Sequence, residues 1–257
     1  MIRHGEKLTV DEERKPLEKS GLNEEQQKKW RVALEALHLE EPEIAYGALP
    51  KIEKIAREMY DQLPDEAMVM FAPTQLPRTR MTAELLANEI MALNESGTKK
   101  ISTSFIWEPP DVAKGQDSLS NIAMYPLEMA RVIREFAQQD KADDAILKKY
   151  LEDSNPQDLG SRSYRDEDEL IFKTANIDLA SEHSILRERA NVVKEMVLKI
   201  MEEFKDSPVP LYFYGVGHHQ SLIALDIAFN GRSHYDSIDD MPEPLSLWKV
   251  KLDSQLD

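Results

Sequence analysis

A basic pair opens the chain, with Arg3 and His4 in adjacent positions and Gly5 directly after them. An imidazole can act as a nucleophile or a general base near neutral pH, and a guanidinium is a planar fork of donors that matches phosphate and carboxylate oxygens. The glycine that follows permits a tight turn. These residue types predict a site for an anionic substrate, provided that later residues complete it.

Three further side chains have the types and positions needed to complete such a site. Arg78, Glu108 and His218 each follow a segment that is predicted to be a β-strand. In an α/β sheet, ligands bind beyond the carboxyl ends of the parallel strands, so this shared placement favours one common site. Arg80 is the alternative to Arg78, and His219 is the alternative to His218.

Short apolar runs predict the strands that hold these residues. Residues 67–72 form a continuous apolar run typical of a buried parallel strand, residues 101–107 alternate, and residues 209–216 have the strongest strand pattern. Apolar residues at helical spacing cover residues 20–39, 49–63, 78–93 and 181–204, and a last apolar helix ends at residue 229. The alternation predicts an α/β fold, a three-layer sandwich in which helices flank a mostly parallel central sheet.

Two of these helices have features that can be checked directly. Ser20 is predicted to cap the first helix, because a serine before an acidic first turn satisfies free backbone N–H groups. The second helix is predicted to bury one side, which consists of Ile52, Ile55, Ala56, Met59 and Tyr60.

Residues 109–180 depart from the alternation of strands and helices. A helix is predicted around residues 123–150, and a polar loop follows over residues 152–168. We interpret this segment as a helical cap inserted into a single domain that spans residues 1–257. Residues 245–252 are predicted to add an edge strand to the sheet.

Composition excludes several classes of protein. The net charge of −16 argues against a nucleic-acid or anionic-membrane surface, which requires a positive face. No stretch approaches the roughly 20 apolar residues of a membrane span, and a cytoplasmic protein is expected.

Cysteine is absent, which excludes disulfides and thiolate metal sites. His38, His183 and His234 lack metal-ligand spacing, so we predict no metal and no other cofactor. The sequence carries no signal for an oligomeric state.

The motifs at these positions, taken in order, are similar to those of one known family. They are Arg3-His4-Gly5, then Leu17-Glu18-Lys19-Ser20-Gly21, then Arg78 four residues before Thr82-Ala83-Glu84, and finally His218 directly after Gly215-Val216-Gly217. This set resembles the histidine phosphatase superfamily, which has the phosphoglycerate-mutase-like fold. The spacing to Thr82 favours Arg78 over Arg80, and the position at the strand exit favours His218 over His219.

The resemblance implies a phosphatase that hydrolyses small phosphate monoesters through a phosphohistidine on His4. Arg3, Arg78 and His218 are the implied substrate-binding residues, since they supply cationic donors to the phosphate oxygens. Glu108 is the candidate general acid, because the family's acid follows its third strand and an apolar neighbour such as Trp107 raises a carboxyl pKa. Asp111 and Glu6 are the alternatives for that role.

Two other functions are compatible with the same motifs. One is a phosphomutase, in which the phosphohistidine returns its group to a second substrate position. The other is a catalytically silent relative that binds phosphorylated ligands or partners. The short first strand and the position of Pro73, two residues farther from Arg78 than is usual, are compatible with it. Family members also begin with a complete strand, whereas only Met1 and Ile2 precede Arg3 here. We therefore expect an N-terminally truncated strand and a marginally active chain.

Overall fold

The computed structural model describes residues 2–3, 17–40, 42–74, 77–106, 184–217 and 219–240, with isolated positions between 172 and 182. The chain divides into two compact units. The first consists of Met1–Ser120, Lys199–His218 and Glu243–Lys249. The second consists of Asn121–Leu198, His219–Pro242 and Val250–Asp257.

A small parallel sheet forms the centre of the first unit. Its strands are β1 (Ile2–Arg3), β2 (Glu66–Pro73), β3 (Lys100–Phe105) and β4 (Leu211–Gly217). Their order is β1-β4-β2-β3, and each neighbouring pair is parallel. Among the residues that the structure describes, the two residues of β1 pair with the end of β4, and the other three strands carry most of the sheet.

Three helices in the first unit pack over one face of this sheet. They are α1 (Glu24–Leu37), α2 (Leu49–Gln62) and α3 (Pro77–Ser96). Helix α3 contacts β2, β3 and β4, and both α1 and α2 pack against α3. Phe71 in β2 stacks on Phe105 and Tyr214 of the two neighbouring strands, with ring centroids 5.8 and 6.0 Å apart. This aromatic row gives the helices an apolar surface on which to pack.

Helix α1 is capped by Asn23 and not by Ser20, so the predicted cap is wrong. The Asn23 side chain accepts a hydrogen bond from the Gln26 backbone N–H at 2.9 Å, and the Gln26 side chain accepts one from the Asn23 N–H at 3.2 Å. This reciprocal arrangement satisfies two free donors at the helix start, which a single serine hydroxyl does not. Ser20 instead donates to the Leu17 carbonyl and stabilises the preceding turn.

A half-buried cluster of charges joins the three helices of the first unit. The Lys29 ammonium in α1 lies 2.7 Å from a Glu53 oxygen in α2 and 2.8 Å from a Glu89 oxygen in α3. Burial acts to lower the pKa of Lys29, but the hydrogen bonds and charges of the two carboxylates outweigh it and raise that pKa. Lys29 therefore links all three helices through two ion pairs.

The second unit includes α4 (Ile185–Glu203) up to Leu198, and α5 (His219–Asn230). Five of its described buried residues form a small apolar core, namely Ala175, Leu179, Leu186, Ile223 and Tyr235. Two buried polar side chains support the start of α4. The Ser184 hydroxyl donates to Asp178 at 2.6 Å, and the same carboxylate accepts the Leu186 backbone N–H at 2.9 Å.

The mixed α/β class, the parallel sheet and its flanking helices are confirmed. The buried side predicted for α2 is confirmed as well, since all five of its residues are buried. The prediction of one domain with an insertion at residues 109–180 stays a prediction, because most of that insertion lies outside the described residues. The predicted edge strand at residues 245–252 also lies outside them. No helix in the described part of the chain combines the length and hydropathy needed to cross a membrane.

Candidate functional site

The carboxyl ends of β1, β4 and β2 lie side by side at one end of the sheet. In β4, Val216 pairs with Ile2 of β1 on one side and with Pro73 of β2 on the other. Arg3 pairs with Gly217, one residue farther along. The Thr74 backbone N–H then donates to the Val216 carbonyl at 3.1 Å, which extends the contact beyond the last residue of β2. The three strands therefore end at the same level.

This register places the end of β1, at Arg3, beside the end of β4, at Gly217. Arg3 is the last residue of β1, and its backbone is described while its side chain is not. His4 and His218 are the residues that follow Arg3 and Gly217, and both lie outside the described residues. Glu108 lies outside them too, as do its alternatives Glu6 and Asp111.

Arg78 is the one predicted site residue whose side chain is described. It is the second residue of α3, directly after Pro77, whose fixed backbone angle suits the first helical position. Its side chain is partly buried, and its Nε atom is shielded from solvent. The Nε atom of Arg80 is shielded in the same way, so burial does not distinguish the two arginines. Arg78 comes closer along the chain to the end of β2.

Three buried threonines surround the start of α3. Thr74 is 3% exposed, and Thr79 and Thr82 are fully buried. The Thr74 and Thr79 hydroxyl oxygens lie 2.9 Å apart, and the Thr79 hydroxyl donates to the Thr74 carbonyl at 2.9 Å. The Thr82 hydroxyl donates to the Arg78 carbonyl at 2.8 Å. These hydrogen bonds of the three hydroxyls hold the backbone on both sides of Arg78.

Sequence reasoning missed Thr74 and Thr79 as part of this region. Their signal is weak, because threonine is common both at strand exits and in the first turn of a helix. Thr82 entered only as part of a motif. The pairing of two hydroxyls five residues apart depends on how close the end of β2 lies to the start of α3, which the pattern of apolar residues does not specify.

Two titratable groups near this region have shifted pKa values. Burial raises the pKa of the Glu84 carboxyl in α3, and the amide of Asn88 offsets part of that rise. Burial also raises the pKa of Tyr214 to about 12, with a further contribution from Tyr212 on the same strand. The Tyr214 phenol therefore stays neutral over the physiological range and acts as a core residue.

The described residues contain no group of three or more histidine, aspartate or glutamate side chains that could hold a metal ion. No family model and no curated protein matches the chain's sequence.

Proposed function

We propose that the chain is a phosphatase that hydrolyses small phosphate monoesters through a phosphohistidine on His4. The observation that supports this function most strongly is the parallel register in which Arg3 pairs with Gly217. Each of these two residues is followed by a histidine, at the carboxyl ends of adjacent strands. The end of β2, which leads to Arg78, lies next to the same part of β4. Parallel α/β sheets bind ligands beyond the carboxyl ends of their strands.

The residue types in this arrangement suit attack on a phosphate dianion. Such a dianion repels nucleophiles until its oxygens are neutralised by preorganised donors. In the proposal, the guanidinium groups of Arg3 and Arg78 and the imidazole of His218 supply those donors. The protein carries a net charge of −16, so a local cluster of cations is needed to hold an anion against the overall field.

The reaction has two displacement steps. In the first, a nitrogen lone pair of the neutral His4 imidazole attacks phosphorus, and the bond from phosphorus to the ester oxygen breaks. The Glu108 carboxyl gives its proton to the leaving alkoxide. In the second step, water attacks the phosphohistidine and transfers a proton to the Glu108 carboxylate. Inorganic phosphate leaves, and both side chains return to their starting states.

The finer features of the fold and of its setting belong to the same proposal. They are a three-layer sandwich, a helical cap formed by residues 109–180, a small phosphorylated substrate, no nucleic-acid binding and a cytoplasmic location. The packing of α1, α2 and α3 over one sheet face supports the layered arrangement. The acidic net charge supports the exclusion of nucleic acid.

Hydrolysis of an aryl phosphate tests the function, with His4→Asn as the variant and His38→Asn as its matched control. His38 is exposed and has a left-handed φ of 54°, a conformation that asparagine accepts readily. We expect His4→Asn to lower kcat by at least about a thousandfold, as loss of a covalent nucleophile does. We expect His38→Asn to keep wild-type rates. Equal activity of both variants would exclude His4 as the nucleophile.

A further inference from the structure

We propose that the buried hydroxyl pair formed by Thr74 and Thr79 holds Arg78 in position for phosphate binding. This inference rests on the proposed function, since it assigns Thr74 and Thr79 as positioning residues for the same site. Neither residue touches the substrate in this account. Both act through the backbone that carries Arg78.

Two short contacts join Thr74 and Thr79. The Thr79 hydroxyl donates to the Thr74 carbonyl at 2.9 Å. The two hydroxyl oxygens also lie 2.9 Å apart, and either hydroxyl can be the donor of that contact. Since a threonine hydroxyl has one proton to donate, the Thr74 proton is used between the hydroxyls whenever the Thr79 proton is on the carbonyl.

This pair ties the first turn of α3 to the end of β2. Thr79 lies next to Arg78 in that turn, and Thr74 directly follows the last residue of β2. Thr74 is itself bound to β4, because its N–H donates to the Val216 carbonyl at 3.1 Å. Val216 pairs with Ile2, the residue before Arg3. A short series of hydrogen bonds therefore connects the backbone at Arg78 with the backbone at Arg3.

Burial protects these hydrogen bonds from exchange with water. Thr74 is 3% exposed and Thr79 is fully buried, so water is not available to replace either hydroxyl partner. Breaking the pair would remove hydrogen bonds between buried groups, which is costly. A guanidinium mounted on this turn has fewer alternative positions than one mounted on a solvated loop. Phosphate binding is sensitive to such preorganisation, since a misplacement of about 1 Å can reduce a rate by about a hundredfold.

The test compares Thr79→Val, which removes the hydroxyl while keeping the shape, with Thr79→Ser, which retains the hydroxyl. Asn94→Ala is the control for general destabilisation. Asn94 lies near the other end of α3 and clamps β3, with bonds of 2.9 Å from the Ile101 N–H and 3.2 Å to the Ile101 carbonyl. For each variant, kcat and KM for an aryl phosphate, the Kd of inorganic phosphate and the melting temperature are measured.

We expect Thr79→Val to lower kcat/KM and to weaken phosphate binding by about tenfold each, the equivalent of about 1.4 kcal/mol, and Thr79→Ser to stay within about twofold of wild type. Asn94→Ala should lower the melting temperature and leave kcat/KM unchanged. In an Arg78→Ala background, Thr79→Val should have no further effect on kcat/KM, because its effect passes through Arg78.

Three results would overturn the inference while leaving the phosphatase in place. They are an unchanged kcat/KM in folded Thr79→Val, an equal loss in Asn94→Ala, or a full tenfold loss that persists in the Arg78→Ala background. If Thr79→Val does not fold, Thr74→Val replaces it, since it keeps the bond from Thr79 to the Thr74 carbonyl. Thr74→Val should reduce kcat/KM by about threefold. A wild-type protein that neither hydrolyses aryl phosphate nor binds inorganic phosphate would instead refute the proposed function, and the positioning role with it.

Discussion

Lys99 stabilises the carboxyl end of α2 from outside that helix. Its ammonium donates to the backbone carbonyls of Tyr60 at 2.7 Å and Leu63 at 2.6 Å, with a longer contact of 3.4 Å to the Asp61 carbonyl. It also lies 4.9 Å from the centroid of the Tyr60 ring. The last carbonyls of a helix have no partner within the helix and carry partial negative charge. Lys99→Met removes the ammonium and keeps the apolar stem.

The expected loss follows from these contacts. A hydrogen bond to a charged group contributes about 1.5 to 3 kcal/mol when it is buried. A cation at a helix carboxyl end contributes about 0.3 to 1 kcal/mol, and one over an aromatic ring about 0.5 to 1 kcal/mol at exposed sites. These values describe one ammonium and do not add in full, and Lys99 is only partly buried. We therefore expect Lys99→Met to reduce the free energy of unfolding by about 2 kcal/mol.

The neighbouring lysine supplies a matched control for this prediction. Lys100 is exposed and pairs only with Glu66, which is also exposed, within the described residues, at 2.7 Å. Surface pairs of this kind contribute little to stability. Thermal denaturation should show a drop of about 5 °C for Lys99→Met and almost none for Lys100→Met. Equal shifts in the two variants would refute the assignment of Lys99 as a helix cap.

Three further predictions concern single side chains. Glu108→Gln should slow hydrolysis of alkyl phosphates far more than of aryl phosphates, because only poor leaving groups need the proton; equal losses in kcat would remove Glu108 from the acid role. Burial raises the folded-state pKa of Glu84 above its unfolded value, so its effect on folding is most favourable below a pH of about 4.5 and is lost as pH rises through the folded pKa. Glu84→Gln should therefore raise the melting temperature at neutral pH and not in acid, and a pH-independent shift would contradict this cause. The Tyr235 hydroxyl donates to the buried Asp226 carboxylate at 3.0 Å, and Tyr235→Phe should cost about 1 to 3 kcal/mol in urea denaturation, whereas an unchanged midpoint would show the bond to be unimportant.

Strands were predictable from the sequence where a run of apolar residues requires a buried strand. Residues 67–72 are continuously apolar, as a strand covered on both sides requires, and β2 extends one residue beyond that run at each end. The predicted strand over residues 209–216 begins two residues later, at Leu211. Pro210 has no N–H to contribute to a ladder, which explains the later start. Gly217, the last residue of β4, pairs with Arg3, and a pairing between residues so far apart in the sequence has no local signal.

The types of residue in the candidate site were predictable from the sequence, but the hydrogen bonds that hold them in place were not. Motif order alone singled out Arg78, and the structure locates it in the first turn of α3. The links that fix that turn are hydrogen bonds between Thr74, Thr79 and Val216, which come from three different elements or their ends. Such bonds depend on strand order, and the order β1-β4-β2-β3 leaves no trace in the spacing of apolar residues. The cap at Asn23 was missed for a local reason, since two plausible capping residues stand three positions apart.

Trapping of the covalent intermediate tests the central proposal most directly. The protein is mixed with an aryl phosphate, quenched in alkali to preserve phosphohistidine, digested and mapped by mass spectrometry. We expect a phosphoryl group on the peptide that contains His4, in an amount that rises within one turnover and disappears when the substrate is exhausted. Steady hydrolysis without any phosphorylated His4 peptide, or with the group on another residue, would contradict it.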